Sequence, residues 1–255
     1  MKRVSQVALG WLLLGVLGTM PASAGRSWES WTKRYRFPAG GQVAVENVQG
    51  SILVEGWDRA EVELTVLKTA AGCGSSPADA HVAVEASADT LRVHTVYRAQ
   101  AREPVAVNYR LRVPRQVRLA TLQTVNGDIG VRNLEGFIVV RTLNGHIQQT
   151  GIAGSVVAQT VNGNVQVALR ALPDRTGTLD LETINGDVEL RLPAGADADL
   201  ELHTLSGRLQ SDLFYVTRNA ADDTTASARL GKGGVRIRLR TIHGDVRVTR
   251  NDDLL

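Results

Sequence analysis

Thr124-Val125-Asn126-Gly127-Asp128-Ile129 recurs as Thr142-Leu143-Asn144-Gly145-His146-Ile147, as Thr160-Val161-Asn162-Gly163-Asn164-Val165 and as Thr183-Ile184-Asn185-Gly186-Asp187-Val188. Two looser copies close the series: Thr204-Leu205-Ser206-Gly207-Arg208-Leu209 and Thr241-Ile242-His243-Gly244-Asp245-Val246. The first three copies lie 18 residues apart, and a weaker copy midway sets Gly127, Gly136, Gly145, Gly154 and Gly163 at intervals of nine. A fixed period of this kind marks a repeat architecture.

Apolar residues keep the same phase. Two before these glycines stand Val125, Leu134, Leu143, Ile152 and Val161, and two after them Ile129, Ile138, Ile147, Val156 and Val165. Four after, the set is Val131, Val140, Gln149, Ala158 and Val167. Alternating β-branched residues followed by Asn-Gly read as short strands joined by tight turns, and no long helical period competes. A unit of two strand-and-turn halves buries its apolar side only by stacking on the next unit.

The sequence therefore predicts an all-β fold: a β-solenoid, or single-chain β-helix, of about 18-residue coils rising ~4.8 Å each. Its corners are expected at Asn126-Gly127, Asn144-Gly145, Asn162-Gly163, Asn185-Gly186, Gly207 and Gly244. A β-sandwich of hairpins is the alternative, but it does not require one residue type at one phase in every unit. On this reading all three apolar sets face inward, and the alternation changes parity between Val140 and Leu143, which places a bend there. Whether the coil has two sides or three is left open.

After Gly163 the intervals lengthen, and the largest insertion, 211–233, reads as a polar surface loop. Upstream, Val43, Val45, Val48, Gly50, Ile52 and Val54 resemble a first coil, followed by longer alternating strands. The chain divides into 1–24, a signal peptide; 25–120, a β-rich cap with degenerate first coils; and 121–250, the repeats.

The signal peptide is read from Lys2 and Arg3, an apolar run from Val7 to Leu17, and Pro21-Ala22-Ser23-Ala24 before the cut. About 11 apolar residues fall short of the ~20 that span a bilayer, which favours cleavage over anchoring. The expectation is a soluble periplasmic or secreted bacterial protein with no transmembrane anchor after cleavage. Of 255 residues, 43% are hydrophobic and 22% charged, enough for a sizeable core. The net charge of +3 falls to about +1 without Lys2 and Arg3, too balanced for a nucleic-acid partner. One cysteine, Cys73, supports neither an intramolecular disulfide nor paired Cys/His metal ligation.

Gly50-Ser51-Ile52-Leu53-Val54-Glu55-Gly56-Trp57-Asp58, the strand ending at Val113-Pro114, the serial Thr-x-Asn-Gly units and Gly231-Lys232-Gly233-Gly234 together resemble a family of exported bacterial β-strand-repeat proteins. That family is catalogued as a candidate adhesin domain of unknown function. The resemblance spans about residues 40–250. It implies a non-enzymatic β-solenoid in the cell envelope or outside the cell, and carries over no catalytic residues.

Asp128, Asp187 and Asp245 follow turn glycines, but the first two stand three rungs apart, roughly 14 Å, too far to share a calcium ion with 2.3–2.6 Å bonds. No metal or cofactor is expected. Ser206, His243 and Asp245 nominally supply nucleophile, base and orienter, yet Ser206 lacks a nucleophile-elbow context and all three read as turn residues. Ice binding through Thr124, Thr142, Thr160 and Thr183 would need regular Thr-x-Thr rows, which are absent. No catalytic residue is assigned.

The candidate interaction surface has two parts. Trp28, Trp31, Tyr35 and Phe37, flanked by Arg26, Lys33, Arg34 and Arg36, are expected to cap the open first coil or to meet a glycan or anionic envelope surface. Phe137, Val139 and Val157 point outward by parity, to be covered by strands from 60–114 or by a partner. The expected activity is that of a non-catalytic structural or adhesive module, its partner an envelope polymer or protein. A carbohydrate-active enzyme on a β-helix scaffold and an envelope-stress sensor are the alternatives.

Overall fold

The computed structural model describes residues 26–71, 75–98, 105–214, 218–219 and 222–251. The expected signal peptide and Cys73 lie outside the described residues.

The chain opens with β1 (Arg26–Arg36), then β2 (Gln42–Glu46) and β3 (Ile52–Trp57), which meet at a corner around Gly50. There follow β4 (Glu61–Ala71), β5 (Ala80–Ala86), β6 (Thr90–Tyr97) and β7 (Ala106–Pro114). The repeats begin with β8 (Arg118–Asn126), β9 (Ile129–Arg132), β10 (Glu135–Asn144), β11 (Ile147–Gln159) and β12 (Val165–Ala171). They continue through β13 (Thr178–Glu182), β14 (Val188–Leu192), β15 (Ala198–Ser206) and β16 (Leu209–Ser211). The chain finishes with β17 (Arg218–Asn219), β18 (Asp222–Leu230), β19 (Val235–His243) and β20 (Val246–Arg250).

Successive strands of the repeats alternate between two parallel faces, so each coil has two sides. The front face stacks β6, β2, β8, β10, the second half of β11, β13, β19 and β15 in that order. The back face stacks β7, β3, β9, the first half of β11, β12, β14, β20 and β16. Val43, Leu119, Ile138, Val156, Leu179 and Ile237 from the front meet Ile52, Ile129, Ile147, Val165, Val188 and Val246 from the back in one buried core. Gln149 stands in this core between Val131 and Val167, fully buried, with neither amide atom hydrogen-bonded to a described residue.

Coil order in space departs from chain order at both ends. The first coil, β2–β3, sits inside the stack, between β6–β7 and β8–β9. The last, β19–β20, lies between β13–β14 and β15–β16. The ends are closed by antiparallel strands: β4 then β1 beyond β7, β5 beyond β6, and β18 then β17 beyond β15. The expected loop at 211–233 is therefore corrected, because Asp222–Leu230 is a strand that pairs with β15 and covers an open edge. The polar look of that segment is the look of an edge strand with one face in water.

The corners explain the repeated motif. Thr124, Thr142, Thr160, Thr183, Thr241 and Thr204 are buried, and each hydroxyl donates to the carbonyl of the corner glycine one rung earlier, at 2.8–3.0 Å. That carbonyl points at the next corner glycine: a Cβ on Gly163 would lie 2.1 Å from the Gly145 oxygen, which only glycine permits. In the first coil, Asn47 takes the threonine's place and donates to Val107 O at 2.8 Å and Gly50 O at 3.1 Å.

The threonine column corrects the expected inward set. Thr142 faces the core, so Leu143 faces solvent at 44% exposure, and Val125 and Val161 are likewise outward-facing. Ile138, Val140 and Thr142 keep strict alternation, and no bend falls between Val140 and Leu143; the chain turns at Asn144–His146. At the opposite corners Leu134 and Ile152 are buried as expected.

Candidate functional site

Each corner carries two side-chain ladders. Asn144 Nδ2 donates to Asn126 Oδ1, Asn162 to Asn144 and Asn185 to Asn162, at 2.8–2.9 Å. One step past each glycine, the Asp128 carboxylate accepts from His146 N, His146 Nδ1 from Asn164 N, Asn164 Oδ1 from Asp187 N, and Asp187 Oδ1 from Asp245 N. These carboxylates are occupied in holding the next rung. Ser206 and His243 do pair on adjacent rungs, but both Asp245 oxygens are engaged by Arg208 through its backbone N–H and guanidinium. Arg208 accordingly holds the Asp245 carboxyl below the usual carboxylate range. The three side chains form no nucleophile–base–orienter chain.

The two parts of the candidate surface lie on different elements. Trp28, Trp31 and Tyr35 sit on β1, which pairs with β4 and is fixed there by Arg34–Glu63 and Lys68–Glu29 ion pairs of 2.6 and 3.1 Å. Trp28 is 52% exposed; Trp31 and Tyr35 are half-buried against the core, with Lys33 Nζ 5.2 Å from the Trp31 ring. Burial pushes the Tyr35 hydroxyl pKa up. Phe37 is buried and is corrected from surface to core. The strand caps the coil containing β7, because β2 and β3 are already interior.

Phe137 and Val139 lie on β10, opposite Ser155 and Val157 of β11. Val139 is 8% exposed and is likewise corrected from surface to buried, whereas Phe137 and Val157 are half-buried. Strands from 60–114 do not lie over them: β4 and β7 extend the back face edge to edge, and β5 and β6 the front. Phe137 instead lines a depression of about 590 Å³ with Gln116, Arg118 and Glu135. The Arg118 guanidinium stands 5.3 Å from its ring centroid, a cation–π distance.

The outer surfaces carry polar rows that the sequence reading missed. On the front, Arg141 Nε donates to Gln159, Gln159 to Glu182, and Arg240 approaches Glu182 at 3.5 Å. On the back, Gln166 donates to Glu189 at 3.4 Å and Arg247 to Gln210 at 2.8 Å, with Gln148 stacked beside Gln166. The signal was present as the polar positions alternating with Val140, Ala158, Val167 and Leu190.

The profile of the Toastrack DUF4097 family matches residues 39–249. The chain belongs to that family. No curated protein sequence is similar to it. Among solved structures, a candidate cell adhesion protein from Clostridium sporogenes ATCC 15579 superposes with a TM-score of 0.53 at 9% identity, covering 88% of this chain and 100% of that one. A candidate adhesin from Bacteroides fragilis NCTC 9343 gives 0.43 at 12% identity, covering 86% and 97%. The first establishes a shared fold. Family membership and a shared all-β fold are what these likenesses show.

Proposed function

We propose that the protein is an exported, non-catalytic binding module that grips an extended polymer or protein of the bacterial envelope along its outer faces. The observation that carries this reading is the polar, amide-rich column Gln148, Gln166, Glu189, Arg247 and Gln210, stacked rung by rung on the back face. A hydrogen-bonding side chain stands at each of these rungs at strand spacing, so an extended ligand meets several polar contacts in series, and weak contacts sum through effective concentration. The Arg118–Phe137 pair and exposed Trp28 add planar apolar surfaces of the kind that stack on sugar rings or lipid headgroups. Solenoid-like coils with Asn-Gly corners supply the rigidity.

The test is co-sedimentation of the purified protein with isolated peptidoglycan sacculi and with anionic lipid vesicles, at low and high salt, assaying the supernatant for released sugar. Salt-resistant binding to sacculi without sugar release is the expected result. Released sugar supports instead an enzyme on this scaffold, and absence of binding to either refutes the envelope-polymer reading.

A further inference from the structure

One surface of the coil is apolar along its whole length. The residue two before each Asn-Gly-type corner glycine is turned outward by the buried threonine, or Asn47 in the first coil, before it. Val48, Leu143, Ile184, Ile242 and Leu205 are 38–61% exposed, and Val125 and Val161 are partly exposed. Corner pairings stack them in the order Val48, Val125, Leu143, Val161, Ile184, Ile242, Leu205. Six steps of ~4.8 Å make a ridge roughly 29 Å long. Nothing in the corner geometry demands an apolar group here; the Thr-to-Gly bond, the Asn ladder and the close glycine approach involve other atoms. Seven aliphatic side chains in seven consecutive exposed positions point to a partner surface.

The column beside the ridge identifies that partner. Two residues before each ridge position stand Glu46, Gln123, Arg141, Gln159, Glu182, Arg240 and His203, in the same stacking order. Turned end for end about Val161, this row meets its own complement: Glu46 faces His203, Gln123 faces Arg240, Arg141 faces Glu182, and Gln159 faces Gln159. On the other flank His146 faces Asp187, while Asp128 meets an Asp245 already neutralised by Arg208 at 2.8 Å. A parallel pairing instead sets Glu182 against Asp187. Self-complementarity of one patch about a two-fold axis is the signature of an isologous contact. We infer that the ridge is a homodimer interface, in which a second copy of this chain packs antiparallel along it with the two-fold axis at Val161.

The arrangement makes a register-specific demand, testable by single cysteines in a Cys73→Ser background. Under mild oxidation Val161→Cys cross-links to itself. Val48→Cys and Leu205→Cys each stay uncrosslinked alone and form a disulfide only when the two variants are mixed. Sedimentation equilibrium of the unmodified protein shows a dimer. The exposed substitutions Leu143→Glu and Ile184→Glu raise its dissociation constant roughly thirtyfold or more, with an unchanged far-ultraviolet dichroism spectrum. Arg141→Glu weakens the dimer, and adding Glu182→Arg restores it. A monomer at every concentration overturns the inference, and so does self-cross-linking of Leu205→Cys as efficient as that of Val161→Cys.

Discussion

Replacing Thr160 with valine removes one hydroxyl and adds one methyl at a site 4% exposed. The lost hydroxyl is the donor to Gly145 O at 3.0 Å, and the Gly163 Cα above that oxygen has no N–H to offer in its place. A buried carbonyl left without a donor costs about 1–3 kcal/mol, while the added methyl recovers a fraction of its ~0.8 kcal/mol transfer energy in a space fitted to oxygen. The net loss is about 1–2 kcal/mol, which in a domain of this size lowers Tm by roughly 3–6 °C. Scanning calorimetry of Thr160→Val measures it, with Thr142→Val and Thr183→Val as repeats of the same experiment on neighbouring rungs. The sign decides the matter, because valine is the more apolar residue of nearly equal shape. An unchanged or raised Tm in these variants refutes the hydroxyl-to-carbonyl account of the corner.

Gln149→Val removes two buried amide atoms with no hydrogen-bond partner among the described residues from the Val131–Val167 column and is expected to raise stability by about 1–2 kcal/mol in denaturant melts; a loss shows that the amide is satisfied in solution. Gly163→Ala drives a Cβ to 2.1 Å from Gly145 O and forces rungs apart, costing roughly 3 kcal/mol or more by the same assay. Tyr109, buried and hydrogen-bonded to Thr95 at 2.6 Å, has its hydroxyl pushed up to about 12 by burial. A phenol raised in the fold binds its proton more tightly there than in the unfolded chain. Its stabilisation is complete below pH ~10 and declines between pH ~10 and ~12, by about 2–3 kcal/mol in total, and Tyr109→Phe flattens that limb of a pH–stability titration. The Asp245 and Glu135 carboxyls are held down by hydrogen bonds from Arg208 and Arg170 respectively, so their contribution is present above pH ~4 and lost as acid protonates them. Both pairs are largely solvated, so less than about 1 kcal/mol each is expected, and Arg208→Ala removes the Asp245 share.

The all-β class and the strand alternation were legible because stacking repeats one environment at one sequence phase. The orientation of Leu143 was not. An apolar residue two before glycine lies inside at the Leu134 and Ile152 corners and outside at the Asn-Gly corners, and the distinguishing signal was the threonine beside it, Asn47 in the first coil. Threonine reads as polar and surface-seeking until a backbone carbonyl without an N–H partner is seen to need its hydroxyl. Spatial order at the two ends was equally hidden. β19 and β20 slip between coils that are neighbours in sequence, and the 37-residue interval before Gly244 gave length without direction. Phe37 and Val139 shared their outward assignment with Phe137 and Val157, which remain half-exposed. Parity alone does not register the loop packing and sheet irregularity around them, such as the register shift between Ile138 and Val140.

A polar side chain at each of several successive rungs of the back face has a direct consequence for affinity. Binding of purified envelope glycan fragments of increasing length, measured by titration calorimetry, tests it. Dissociation constants are expected to fall by roughly tenfold or more on doubling the fragment length until the face is spanned, with the fragments recovered intact. Affinity independent of length, or fragments shortened after incubation, would contradict it.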